Sequence, residues 1–216
     1  FAGNMLTLFV FYEVLTISTF PLVAHSGTDE AKRAGRIYLG ILISTSITFL
    51  LTAVIWTYVE VGTLDFTKGG IMEGNASAGV IAILFGLYIY GIGKAALMPF
   101  HRWLPAAMVA PTPVSALLHA VAVVKAGVFS VLKVSVYIFG VDTLASTGAS
   151  TWLAYVAGAT ILLSSLVAMR KDNLKARLAY STISQLSYIV LGAMLATNIS
   201  TMGSTLHIVM HAFGKI

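Results

Sequence analysis

Residues 91–133 read GIGKAALMPFHRWLPAAMVAPTPVSALLHAVAVVKAGVFSVLK, and the fold follows from how this stretch is read. It is apolar enough to lie in a bilayer, yet it carries Lys94, His119 and Lys125 at depths where hydrocarbon should surround them. Between these groups, Pro99, Pro105, Pro111 and Pro113 interrupt any continuous helix. Irregular backbone at membrane depth is tolerated mainly where it is buried in protein or lines a polar cavity. An ionisable side chain at the bilayer centre costs about +2.5 to +3.5 kcal/mol on insertion scales. A chain that keeps several points to the movement of protons or ions.

Composition widens this reading to the whole chain. Of 216 residues, 58% are hydrophobic and only 10% charged, against about 25% charged in a soluble domain. Mean hydropathy is +0.91. The expectation is an all-α, polytopic transmembrane bundle of about seven helices, with a Pro-broken helix near 99–113. The absence of cysteine excludes disulfides, thiolate metal sites and cysteine-held iron–sulfur clusters. The net charge of +5 reads as basic loops that fix orientation rather than as a nucleic-acid surface. The chain opens at Phe1 inside an apolar run and ends at Ile216 inside another, so residues 1–216 are expected to be one transmembrane domain cut from a longer protein.

In order, segments are expected at about 1–24, 37–59, 78–99, 114–139, 150–169, 178–197 and from 202 onward. The second opens with Ser44, Thr45, Ser46 and Thr48, whose hydroxyls can bond back to helix carbonyls. Alternate loops hold Lys32, Arg33, Arg36, Arg102, Arg170, Lys171, Lys175 and Arg177, eight in all, against Lys68 alone in the others. This asymmetry places loops 25–36 and 170–177 on the cytoplasmic side, with a bacterial inner membrane as the expected setting.

Seven residues are candidates for proton transfer. Glu13 sits near the middle of the first segment, either protonated or snorkelling, or as a partner for an intramembrane lysine. Lys94 lies about 22 Å along its segment at about 1.5 Å per residue, a lysine at membrane depth unless it snorkels to the headgroups. His119 and Lys125 are six residues apart, so they do not share one strict helical face and need water or another helix between them. Lys133 reads as snorkelling to the outer interface. His207, His211 and Lys215 are spaced i, i+4, i+8 along one stripe. An HxxxH pair can bind metal, but no Cys or inward carboxylate accompanies it, so no metal is expected. Histidines bonded between helices are the structural alternative, and a hydrated proton relay explains all three residues better.

Three blocks carry a resemblance: MPFHRWLPAAMVAPTPVSALLHAVAVVKAG (98–127), ARLAYSTISQLSYIVLG (176–192) and HIVMHAFGK (207–215). Together they resemble the antiporter-like membrane subunits shared by respiratory complex I and Mrp-type cation/proton antiporters, with related subunits in membrane-bound hydrogenases. The resemblance implies an inverted-repeat fold of about fourteen helices, of which this chain looks like the fifth to the eleventh. It further implies that Glu13 pairs with Lys94 on a discontinuous helix, that Lys125 is the central lysine with His119 before it, and that His207 and His211, completed by Lys215, are the histidine helix. A proton route would then run from Glu13 and Lys94 through Lys125 to the histidines.

Two drives are compatible with this reading. One is a redox partner, as in complex I, where the chain would be an NADH:quinone oxidoreductase component with no redox centre of its own. The other is cation/proton antiport, in which Na+ moves against protons. Neither requires a cofactor within the chain: GIGKAA (91–96) reads as membrane helix rather than a phosphate loop. Partners are the lipid bilayer and other membrane subunits. The alternative from a different class is a structural membrane subunit whose proton path is inactive.

Overall fold

The computed structural model describes residues 2–215. Seven main helices follow one another: α1 Met5–Val23, α2 Asp29–Val61, α3 Ala78–Gly91, α4 Thr112–Phe139, α5 Thr151–Met169, α6 Leu174–Met194 and α7 Asn198–Lys215. Four of these, α1, α2, α4 and α5, are long and apolar enough to cross a membrane. The all-α expectation holds.

Helix starts are set by side-chain caps. Asn4 accepts the Thr7 N–H at 2.8 Å, Thr28 that of Ala31 at 3.2 Å, and Asn173 that of Ala176 at 3.2 Å. The Thr28 cap corrects one expectation. Residues 29–36 are not loop but the first turns of α2, where the negative charges of Asp29 and Glu30 complement the positive end of the helix dipole. In α1 the buried residues Leu8, Tyr12, Thr16, Thr19 and Val23 form a narrow stripe, while Phe11, Val14 and Ile17 face outward. Apolar side chains stay exposed even at 78% for Phe213, which suits a lipid solvent.

One buried apolar cluster runs from Met5 to Ala196 and draws on every part of the bundle up to α6. The loop between α2 and α3 is tied to it by backbone bonds. Met5 N–H donates to the Leu64 carbonyl at 2.9 Å and Ile71 N–H to that of Ile138 at 2.8 Å.

α2 and α4 are not regular throughout. α2 widens into a π-type turn at Ser46–Leu51, and α4 does so at Leu117–Val121 and Ser135–Phe139. At the start of the first, Thr45 and Ser46 donate to the Ile41 and Ile43 carbonyls at 2.9 and 3.1 Å, as the Ser/Thr-rich reading expects.

The broken helix also differs from expectation. α3 ends at Gly91, eight residues before Pro99, and Lys94 lies beyond it in a single tight turn, Gly93–Ala95. Only Gly91 of GIGKAA belongs to α3; the rest is a tight turn and its flanks, buried in protein. What stops α3 is packing. A Cβ on Gly91 would stand 2.4 Å from the Leu50 backbone nitrogen, and one on Gly93 2.4 Å from Thr45 Oγ1. The break is pressed against the wide turn of α2 and the residue before it.

Candidate functional site: a row of buried basic groups

Lys94 is fully buried, and Tyr12 of α1 holds it from three directions. Its Nζ donates to the Tyr12 carbonyl at 2.5 Å, lies 3.1 Å from the centroid of the Tyr12 ring, and its backbone N–H donates to Tyr12 Oη at 3.0 Å. The Gly93 carbonyl closes the tight turn by accepting the Ala96 N–H at 3.0 Å, and Trp103 Nε1 donates to the same oxygen at 3.0 Å.

Glu13 faces the same region but makes no contact with Lys94 at bonding distance. Both carboxyl oxygens are buried and, among the described residues, accept no hydrogen bond, while the Ser46 hydroxyl faces them from the wide turn of α2. The two residues are within Coulomb range of each other. The expected Glu13–Lys94 pair is thus close but open.

Further along the bundle, three helices bring the other basic groups together. Lys125 Nζ of α4 lies 2.5 Å from His211 Nδ1 of α7. The rings of His211 and His207 stack nearly parallel, 11° apart with centroids at 6.2 Å. His207 Nε2 in turn lies 2.9 Å from Gln185 Oε1 of α6. Lys215 does not continue along the histidines; it turns to α6, donating to Ser181 Oγ at 3.1 Å. It stays within Coulomb range of His119 and Lys125. His119, 5% exposed inside a π-type turn, makes no hydrogen bond through either ring nitrogen to any of the described residues. Lys133 closes the far end of α4, donating to the Ala2 carbonyl at 2.9 Å with its ammonium 4.0 Å from the Phe66 centroid.

The contact between Lys125 and His211 constrains protons. An ammonium has only donors and an imidazole one acceptor at most, so one of the two facing nitrogens must offer a lone pair. The shared hydrogen bond is a place where a proton can lie on either partner. Nδ1 of His211 is already engaged by Lys125 and Nε2 of His207 by Gln185. Among the described residues, no group of three or more His, Cys, Asp or Glu side chains is set to hold a metal ion.

Sequence alone does not mark Tyr12, Trp103, Gln185 and Ser181 as members of the site. For the α6 pair a signal exists: Ser181, Gln185 and Tyr188 recur at helical spacing in a membrane segment, and Tyr188 packs on His207 at 6.4 Å between centroids. For Tyr12 no spacing rule could have found Lys94.

The family described as NADH:quinone oxidoreductase/Mrp antiporter, TM, matches residues 2–216. The chain belongs to this family. Being a member of this transmembrane family, it is an integral membrane protein. Its relatives fall on both sides of the family's name. It is 33% identical over 99% of its length to a probable K(+)/H(+) antiporter subunit of Rhizobium meliloti (strain 1021), covering 21% of that protein. It is also 33% identical over 98% of its length to "NAD(P)H-quinone oxidoreductase chain 5" of Synechocystis sp., covering 31% of it. The chain therefore spans a third or less of these curated relatives. Among solved structures, 99% of the chain superposes with a TM-score of 0.86 on 23% of a chain of the Mrp complex from Dietzia sp. DQ12-45-1b, at 32% identity. It matches 44% of a chain of an archaeal membrane-bound sulfane sulfur reductase with the same TM-score of 0.86, at 30% identity.

Proposed function

We propose that the chain is a proton-translocating part of an antiporter-like membrane subunit, folding as one transmembrane unit. Glu13, Lys94, His119, Lys125, His207, His211 and Lys215 exchange protons along the middle of the bundle. The observation that carries this is the 2.5 Å contact between Lys125 Nζ and His211 Nδ1. Two basic groups on facing helices share one hydrogen bond, and a stacked histidine extends it towards Gln185. Such an arrangement is costly as packing and useful for handing a proton between helices.

The drive is either a cation gradient or electron transfer in a partner subunit. The relatives' names support both. Kinship with chains of multisubunit membrane complexes supports other membrane subunits as partners, with protons and Na+ or another monovalent cation as the transported species. The basic residues within 25–36 and 170–177, at the ends of α2 and α6 and in the turns before them, support a cytoplasmic face there, in a bacterial inner membrane.

The test uses the full-length protein with its partner subunits in sealed vesicles. A pH gradient on adding Na+ or K+ without an electron donor, lost in Lys94→Ala and Lys125→Ala, supports the antiporter arm. A gradient seen only with an electron donor supports the redox arm. If neither variant alters either signal, the path is wrong and a structural subunit with an inactive path remains.

A further inference from the structure

The arrangement around Lys94 contains a competition. Tyr12 and Glu13 are consecutive on α1, so their side chains leave the helix about 100° apart. Tyr12 points inward, 4% exposed, and offers Lys94 three attachments: carbonyl, ring face and hydroxyl. Glu13 offers an opposite charge, yet among the described residues its carboxyl oxygens accept no hydrogen bond, with only the Ser46 hydroxyl facing them. A buried carboxyl within Coulomb range of a lysine would ordinarily capture it. Here the ammonium rests on an aromatic face and a carbonyl instead, a combination that stabilises a desolvated cation.

We propose that Tyr12 is a positioning residue that parks the Lys94 ammonium off Glu13, and that exchange of the ammonium between these two anchors gates the first proton step. This rests on the reading of Glu13 and Lys94 as proton-exchanging groups. The backbone supports the division of labour. The Lys94 N–H is fixed by Tyr12 Oη, and the Gly93 carbonyl by Trp103, so the turn stays while the side chain moves. The Tyr12 carbonyl also accepts from Thr16 Oγ1 at 3.2 Å, so it remains partly satisfied when the ammonium leaves. Only the ammonium has two places to go.

The contact can be read without any transport assay. An ammonium 3.1 Å from a ring centroid places the lysine Cε and Nζ in the ring current. The experiment is solid-state NMR of lysine-labelled full-length protein in lipid, with the Lys94 signal assigned by its loss in Lys94→Ala. In the wild type and in Tyr12→Phe, which keeps the ring, the signal is displaced; in Tyr12→Leu it moves back. The decisive comparison is Glu13→Gln in two backgrounds. It leaves the Lys94 signal nearly in place when Tyr12 is present and moves it clearly in Tyr12→Leu, because the ammonium has then passed to Glu13. Equal movement in both backgrounds, or no movement in Tyr12→Leu, overturns the parking. Vesicle transport supplies the second readout. A several-fold loss of rate in Tyr12→Leu supports the gate, whereas unchanged transport alongside the NMR change overturns the gate and keeps only the contact. If the wild type transports no protons at all, it is the functional reading that fails, while the NMR comparison still decides where Lys94 rests.

Discussion

Gly127 of α4 lies directly against the backbone of Lys94: a Cβ at position 127 would stand 2.4 Å from the Lys94 carbonyl carbon and 2.5 Å from the Ala95 nitrogen. Neither atom belongs to a side chain that could turn away. Gly127→Ala is therefore expected to push the turn at Gly93–Ala95 out of place and to destabilise the protein by about 1–3 kcal/mol. Gly158 of α5 is the control, since nothing lies within 4 Å of a Cβ there; Gly158→Ala should be neutral or gain up to about 1 kcal/mol. Unfolding of the full-length protein in detergent checks both, and equal effects would sink the argument.

Replacing Lys125 by Met removes the partner of His211 Nδ1. His211 Nε2 already lacks one, so the ring would be buried with both nitrogens unsatisfied. The expected cost is about 1–3 kcal/mol, together with loss of proton movement in vesicles. Retained transport in Lys125→Met would show that protons do not pass this contact.

Among the described residues, Gln185 is the one side chain that hydrogen-bonds to the His207 ring. Gln185→Leu keeps the volume and loses the amide, so stability should fall by about 1 kcal/mol and the transport rate several-fold. Gln185→Glu keeps an oxygen acceptor and is expected to lose less. Rates for the two variants, measured side by side, decide whether His207 needs to be held.

Trp103→Phe retains an aromatic ring near Tyr38, now packed at 5.5 Å between centroids, but leaves the Gly93 carbonyl with the Ala96 N–H as its donor in a fully buried site. Loss of the second bond is expected to cost about 0.5–1.5 kcal/mol. A thermal midpoint no lower than that of wild type would mean that the indole bond adds nothing to the turn.

The helical class and the order of the seven segments are legible because membrane length and apolar composition leave few other structures. The start of α2 is easily misjudged because Lys32, Arg33 and Arg36 look like a loop; Thr28 with Asp29 and Glu30 carries the correct signal, a cap and a dipole partner. The prolines suggest where the break should fall, whereas α3 ends where Gly91 and Gly93 meet α2, a tertiary effect with no local signature. Each expected titratable residue is legible by its cost in a membrane, and Lys125, His207 and His211 do converge. Their company is not. Tyr12 is 82 positions from Lys94, and an aromatic side chain in an apolar helix looks like any other core residue.

The turn carrying Lys94 is riveted rather than hinged. Gly127 presses on one side of its backbone, Trp103 grips the Gly93 carbonyl, and Tyr12 Oη takes the Lys94 N–H. With the main chain pinned at three points, the reach of any charge movement here is the swing of one flexible four-carbon stem. On the proposed path, a step longer than that stem must be handed to water or to the next residue, so the span of a single side chain would set its stride.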